Sequence, residues 1–290
     1  MYLSPFGLKK SEMPILKNVI RVLDFGDYIK ICFYPELRRP GFERCDTEET
    51  LFFERPDFSD LDFLKEKTTD FELEPPRCKS ESVVSRAKRT IYELAYMNPF
   101  DYFITITVSP QAIGIDRYDL KSCKKKLLRL FNNFRSRYDS FFKYLLLPEP
   151  HQDGAWHFHG FIMIDDRFLT LNSNGYLDWP YISEKIGFVS LDKIRNKDAC
   201  AKYCTKYMNK NLAEIVHEIG EHMYYCSQGL ARPELLRKFA GCGDPDNIFS
   251  DWDFVGESGY RCKNLTLSEY EHFLEFSSFL DSVDFSEVPF

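Results

Sequence analysis

No run of apolar residues in this 290-residue chain approaches the length of a membrane span. Residues 1–17 lack the basic-then-apolar order of a secretory signal, so a cytoplasmic protein without a membrane partner is expected. Cysteine occurs nine times but without CxxC pairs or regular spacing. Cys200 and Cys204 lie one turn apart with no nearby histidine, so the expectation is free thiols in a reducing compartment. The GxxxxGK[ST] loop is missing as well, which excludes an encoded NTPase motor. An excess of positive charge is also lacking, because the net charge is −7. That total argues mildly against a polyanionic partner.

The distribution of charge argues the other way. Arg77–Lys143 carries about +8, whereas Glu43–Glu74 carries about −8 and residues 244–290 about −9. Phosphate contacts are local, so a basic segment can serve inside an acidic chain. The same run also reads as an ordinary solvated face. The composition shifts divide the chain into an N-terminal extension with an acidic linker (residues 1–79), a central domain (80–243) and an acidic tail with one helix (244–290). Within the extension, IRVL (Ile20–Leu23) and YIKICFY (Tyr28–Tyr34) read as a strand pair. The linker, Glu43–Pro76, carries at most a short helix at Phe58–Lys67.

In the central domain, Ser82–Met97 has helical periodicity and a basic cluster at Arg86, Lys88 and Arg89. A strand, FITITV, follows at Phe103–Val108. A second basic helix runs from Asp119 to Tyr138, with lysines at 124–126 that face solvent or a phosphate backbone. Trp179–Lys185 reads as a short helix, Phe188–Leu191 as a strand and Leu230–Phe239 as a helix. The succession of strands and helices suggests an α+β fold, a mainly antiparallel sheet with helices packed on one side. Ser268–Leu280 is the helix of the tail.

The central domain is organised around Lys143–Ile164, KYLLLPEPHQDGAWHFHGFIMI. Two apolar runs flank a polar HQDG turn, the pattern of a β-hairpin. His157 and His159 are two apart on the second strand and so share a face. Paired imidazoles on a rigid strand suit a metal ion; the alternative is two histidines on a solvent-facing edge. A two-residue turn on Asp153-Gly154 would set Glu149 opposite Phe158, on the wrong face. A three-residue loop, Gln152-Asp153-Gly154, with Gly154 left-handed sets Glu149 opposite His157, and glycine at the third position favours it.

A second motif lies at Asp198–Lys210, DACAKYCTKYMNK. Without Pro or Gly it reads as one helix, with Asn196 or Asp198 as N-cap. Tyr203, Lys206, Tyr207 and Lys210 fall at i, i+3, i+4 and i+7 on one face. A phenol of pKa about 10 is a weak nucleophile until a cation lowers its pKa and neutralises the phosphate that it attacks. The plain alternative is an amphipathic helix with packed tyrosines and solvated lysines.

FITITV, HFH and YCTKYMNK stand in the order of the motifs of the HUH endonucleases, the rolling-circle replication initiators. The chain from about Ser80 to Arg237 resembles the two-tyrosine class of small single-stranded-DNA phages and related plasmids. The resemblance implies a ferredoxin-like HUH palm with the histidines on a central strand and the tyrosine helix nearby. It implies His157 and His159 as ligands of Mg²⁺ or Mn²⁺, with Glu149 matching the acidic third ligand of some branches. It implies Tyr203 and Tyr207 as nucleophiles and Lys206 as the phosphate-facing cation. Lys210, Arg86, Lys88 and Arg89 are then DNA-contact candidates. The implied partners are single-stranded DNA at an origin and a host helicase and polymerase, in the cytoplasm of a bacterial host. Other uses of the same chemistry are a transposase or a mobilisation relaxase. A non-catalytic single-strand DNA-binding protein and an HxH/Glu oxygenase are alternatives of other classes, the latter disfavoured by the tyrosine helix.

Overall fold

The computed structural model describes residues 15–38, 80–112, 114–151, 153–239, 241–256 and 259–276. The acidic linker and the short helix expected at Phe58–Lys67 lie outside the described residues. In chain order the elements begin with strands β1 (Ile15–Asp24) and β2 (Ile29–Arg38), helix α1 (Ser80–Met97), strand β3 (Tyr102–Val108) and helix α2 (Leu120–Arg137). The hairpin β4 (Lys143–Pro150) and β5 (Trp156–Met163) follows, then short strands β6 (Thr170–Leu171) and β7 (Leu177–Asp178). Helix α3 (Pro180–Ile186), strand β8 (Gly187–Lys193) and helices α4 (Lys197–Cys204) and α5 (Lys210–Glu218) come next. The chain continues through strands β9 (Tyr225–Cys226), β10 (Glu234–Phe239), β11 (Phe254–Val255) and β12 (Arg261–Leu265) to helix α6 (Leu267–Phe276). The fold is α+β with two antiparallel sheets.

These elements form two compact units, residues 77–232 and a unit drawn from both ends of the chain. In the terminal unit the strand order is β10-β1-β2-β12-β11, so strands from the two ends hydrogen-bond side by side. Its core gathers Ile20, Val22, Ile31, Phe33, Phe239 and Tyr270. The strand pair expected at Ile20–Leu23 and Tyr28–Tyr34 is β1–β2. The helix expected over Leu230–Phe239 is instead strand β10, paired antiparallel with Ile20–Asp24 of β1. A six-residue segment with mixed periodicity takes its state from the partner available to it, and here that partner is a strand edge.

In the central unit the sheet runs β6-β7-β8-β3-β5-β4-β9, with every pairing antiparallel. β3 buries Tyr102, Ile104, Ile106 and Val108 and turns Phe103, Thr105 and Thr107 to the other face. α2 covers the first face. It starts at Asp119, whose carboxylate accepts the backbone N–H groups of Lys121 and Ser122. It buries Leu127, Leu130, Phe131 and Phe134, and Phe131 packs on Tyr144 of β4 with ring centroids 5.0 Å apart. Truncating such a buried ring to alanine costs about 3–5 kcal/mol. Lys124 is not on a wet face: its Nζ donates to both carboxylate oxygens of Glu221 at 2.5 and 2.7 Å.

Candidate active site

The second face of the central sheet carries the histidines. Two rows of side chains cross it, set by the strand register. Glu149 of β4 lies opposite His157 of β5, His157 opposite Thr107 of β3, and Thr107 opposite Phe188 of β8. The next row runs Leu147, His159, Thr105 and Ser190. The hairpin turn fixes this register. His151 N–H donates to the Ala155 carbonyl at 2.8 Å, Gly154 N–H to the His151 carbonyl at 2.9 Å, and Gly154 has a φ of 83°. The three-residue loop with a left-handed glycine is therefore the form adopted, with Glu149 beside His157.

Each imidazole has a threonine behind it. His157 Nδ1 lies 3.2 Å from Thr107 Oγ1, and His159 Nδ1 lies 3.1 Å from Thr105 Oγ1. Glu149 Oε2 reaches diagonally to His159 Nε2 at 2.7 Å. Burial lowers the pKa of both histidines. For His157 the neighbouring His151 and His159 add to that effect and outweigh Glu149 and Asp153. For His159 burial outweighs the charge and hydrogen bond of Glu149. Both rings are thus held in the neutral form that a metal ligand needs. A threonine hydroxyl can donate or accept, so Thr105 can satisfy Nδ1 whether Nε2 carries its proton toward Glu149 or offers a lone pair to a cation.

Two imidazoles and a carboxylate are a suitable donor set for a divalent ion. Donors held about 2.1 Å from one ion at right angles lie about 3 Å apart, close to the Glu149–His159 separation. Among the described residues, however, no three His, Cys, Asp or Glu side chains already converge as a metal cluster. The ion-paired Glu149 and His159 would have to open slightly to admit an ion.

A residue missed in the sequence completes this end of the site. His151 stacks on His157, with centroids 4.5 Å apart and rings 13° from parallel. Asp153 holds it there, 3.1 Å from His151 Nδ1, while also accepting from Ala155 N–H at 2.9 Å and Arg117 Nη2 at 2.6 Å. Those contacts, led by the Ala155 N–H, keep the Asp153 carboxyl below its usual range. The threonines behind the histidines were missed too. Their signal was the alternation in FITITV, which puts Thr105 and Thr107 on one face.

The tyrosine segment reaches the same face from α4. Asn196 is the N-cap, its side chain accepting from Ala199 N–H. Tyr203 is 46% exposed and meets Phe103 edge-on at 5.8 Å. Phe103 in turn stacks on His159 at 6.1 Å, so one ring links Tyr203 to the histidine row. Lys206 Nζ lies 5.4 Å from the Tyr203 ring centroid. Beside Tyr203 is a cleft of about 350 Å³ lined by Phe103, Lys193, Arg195, Asn196 and Cys200.

The single helix expected over Asp198–Lys210 is broken. α4 ends at Cys204, a 3-10 turn covers Thr205–Tyr207, and α5 begins at Lys210. Met208 is extended, and Asn209 caps α5 by accepting from Leu212 N–H. Asn209 thus acts as an N-cap and not as a helix interior residue, the role asparagine favours. Lys210 therefore does not continue the helical face of Tyr203. The side chains of Tyr207 and Lys210 lie outside the described residues. Arg86, Lys88 and Arg89 are exposed on α1. Arg86 lines a separate cavity of about 510 Å³ with α5, and Arg89 pairs with Glu93 at 3.8 Å.

Residues 101–212 match the family model described as replication-associated protein ORF2. No curated protein and no solved structure matches the chain. The matched stretch is less than half of the chain, yet it takes in Glu149, both histidines, both threonines and the Tyr203–Tyr207 turn. It leaves out the basic cluster on α1. The match supports a Rep-type, replication-associated protein. Among the described residues no helix is long and apolar enough to cross a membrane.

Proposed function

We propose that the chain is a rolling-circle replication initiator that nicks and rejoins single-stranded DNA through a tyrosine nucleophile. The observation that carries this reading is the ring contact chain from His159 through Phe103 to Tyr203. It sets a half-exposed phenol over the face that holds two neutral imidazoles and a carboxylate. The likeness of residues 101–212 to a replication-associated family supports the same reading.

His157, His159 and Glu149 would hold a divalent cation, Mg²⁺ or Mn²⁺, which when bound supplies Lewis-acid polarisation of a phosphate oxygen. The Tyr203 oxygen attacks the scissile phosphorus and forms a tyrosyl O–P bond while the P–O3′ bond breaks. The phenol proton passes to solvent, and the leaving oxygen takes up a proton to become a free 3′-OH. The 5′ phosphate stays on the protein until a 3′-OH attacks it and reverses the exchange. Lys206, beside the Tyr203 ring, supplies positive charge where negative charge builds on the phosphate. Tyr207 is the candidate for a second, alternating nucleophile. Thr105 and Thr107 hold the two imidazoles in orientation.

Incubating the protein with single-stranded oligonucleotides and Mn²⁺ tests this directly. A covalent protein–DNA band is expected on a denaturing gel, carrying label from the downstream fragment, and Tyr203→Phe with Tyr207→Phe should abolish it. Label from the upstream fragment in that band, or a band that survives both substitutions, would refute the mechanism.

A further inference from the structure

Strand β8 leaves part of the histidine face uncovered. Its alternate residues Val189 and Leu191 are buried against the α2 side, whereas Phe188 and Asp192 are exposed and Ser190 is half-buried. Phe188 is 46% exposed although it lies inside a seven-stranded sheet, and Tyr176, 57% exposed, meets it edge-on at 6.5 Å. Singly exposed aromatics are common on protein surfaces. Here two of them touch, and one stands in the same cross-strand row as Thr107, His157 and Glu149. With strands about 4.8 Å apart, the Phe188 backbone is about 10 Å from that of His157. At the other end of β8, about 13 Å along the strand, Lys193 and Arg195 line the cleft beside Tyr203. Asp192 is the acidic group among them.

We infer that Phe188, with Tyr176 against its edge, is a stacking platform for an unpaired base of single-stranded DNA beside the scissile phosphate. A flat, exposed ring offers any base a π-face without reading its edge, and the cations beyond it suit the sugar–phosphate backbone of the same strand. The histidine row lies between the two, so a strand that stacks on Phe188 and runs toward Lys193 and Arg195 passes over His157 and His159. This inference rests on the reading of the chain as a single-strand DNA enzyme, and it adds where the substrate is gripped.

The test uses the full chain in EDTA, so that binding is read without cleavage. The probes are fluorescein-labelled dT12 and an abasic strand of the same length. Phe188→Ala should weaken dT12 binding about tenfold or more in fluorescence anisotropy, with a smaller loss for Tyr176→Ala. Phe188→Trp should keep the affinity, and its added emission should be quenched by dT12 but not by the abasic strand. Affinity unchanged within twofold in Phe188→Ala, equal quenching by both probes, or no dT12 binding by the wild type would each overturn the proposal. A covalent adduct formed by a protein whose Phe188→Ala variant binds normally would leave nicking standing and remove the platform. Stacking without any adduct would do the reverse.

Discussion

Replacing Gly160 by alanine probes how far the histidine site depends on the close approach of β4 and β5. Gly160 follows His159 and lies between Leu146 of β4 and Ile104 of β3. Its φ is 159°, and a Cβ added there would meet the Leu145 carbonyl oxygen at 2.0 Å. That oxygen is backbone, so relief must come from moving a strand and not from turning a side chain. Overpacking a core position costs about 1–3 kcal/mol. Holding alanine in a backbone region nearly reserved for glycine adds about 1–3 kcal/mol. A loss of about 4 kcal/mol is expected, and at about 2–4 °C per kcal/mol for a unit of this size, Tm falls by roughly 8–16 °C. Gly175→Ala is the control. Its φ is 79° with nothing within 4 Å of the added Cβ, so it carries the dihedral cost alone, about 1–2 kcal/mol. Circular dichroism melts of the two variants, followed by Mn²⁺ titration of the folded protein, make the comparison. Gly160→Ala should melt well below Gly175→Ala and bind Mn²⁺ more weakly, because Glu149 and His159 meet across the strands being forced apart. Equal melting temperatures would show that β4 and β5 yield without cost and would refute the reasoning.

Three further outcomes follow from the same geometry. His157→Ala and His159→Ala should each abolish cleavage while leaving much of the single-strand DNA binding, read by gel and anisotropy on one preparation; retained cleavage would show the ligand set to be wrong. Thr105→Val and Thr107→Val should lower Mn²⁺ affinity by about 10–100-fold in calorimetric titration with little change in Tm, since shape is kept and only the hydroxyl behind each Nδ1 is lost. Lys124→Met should destabilise the central unit by about 2 kcal/mol at pH 7, because Glu221, whose side chain is 5% exposed, loses its cation. Burial alone would raise the Glu221 carboxyl, but hydrogen bonds from Lys124 and Tyr225 overcome it and hold the group below its usual value. Its contribution is therefore present above the unfolded carboxyl pKa and is lost as pH falls through the folded one. The gap between wild type and Lys124→Met in urea midpoint should close on acidification; a gap that stays constant with pH would exclude the ion pair as its source.

How much of this was legible depends on how local each feature is. The register of Glu149 against His157 was readable because one glycine, left-handed at Gly154, decides between two turn lengths. The threonines behind the histidines follow from strand alternation once FITITV is laid antiparallel to HFH, a pairing that needs only the two strands. His151 was not readable as part of the site. Its stacking on His157 depends on Asp153, which Arg117 grips from 36 residues earlier in the chain. Strand β10 was misread as a helix because its partner, β1, lies some two hundred residues away.

The break after Tyr207 lies between these extremes, and it alters the chemistry that the segment can offer. Asn196 and Asn209 cap helices by the same hydrogen bond, each accepting from the N–H three residues on. The second cap was hidden because the residues around it are all good helix formers. Its effect is to end α4 in a 3-10 turn, where residues three apart eclipse one another instead of diverging as they do in an α-helix. Tyr203 and Lys206 are three apart, and the lysine ammonium lies 5.4 Å from the tyrosine ring. An uninterrupted helix would have spread a stripe of two tyrosines and two lysines along one face. The broken one makes Tyr203 and Lys206 a single unit, set by Phe103 against His159, and assigns Lys210 to the start of the next helix.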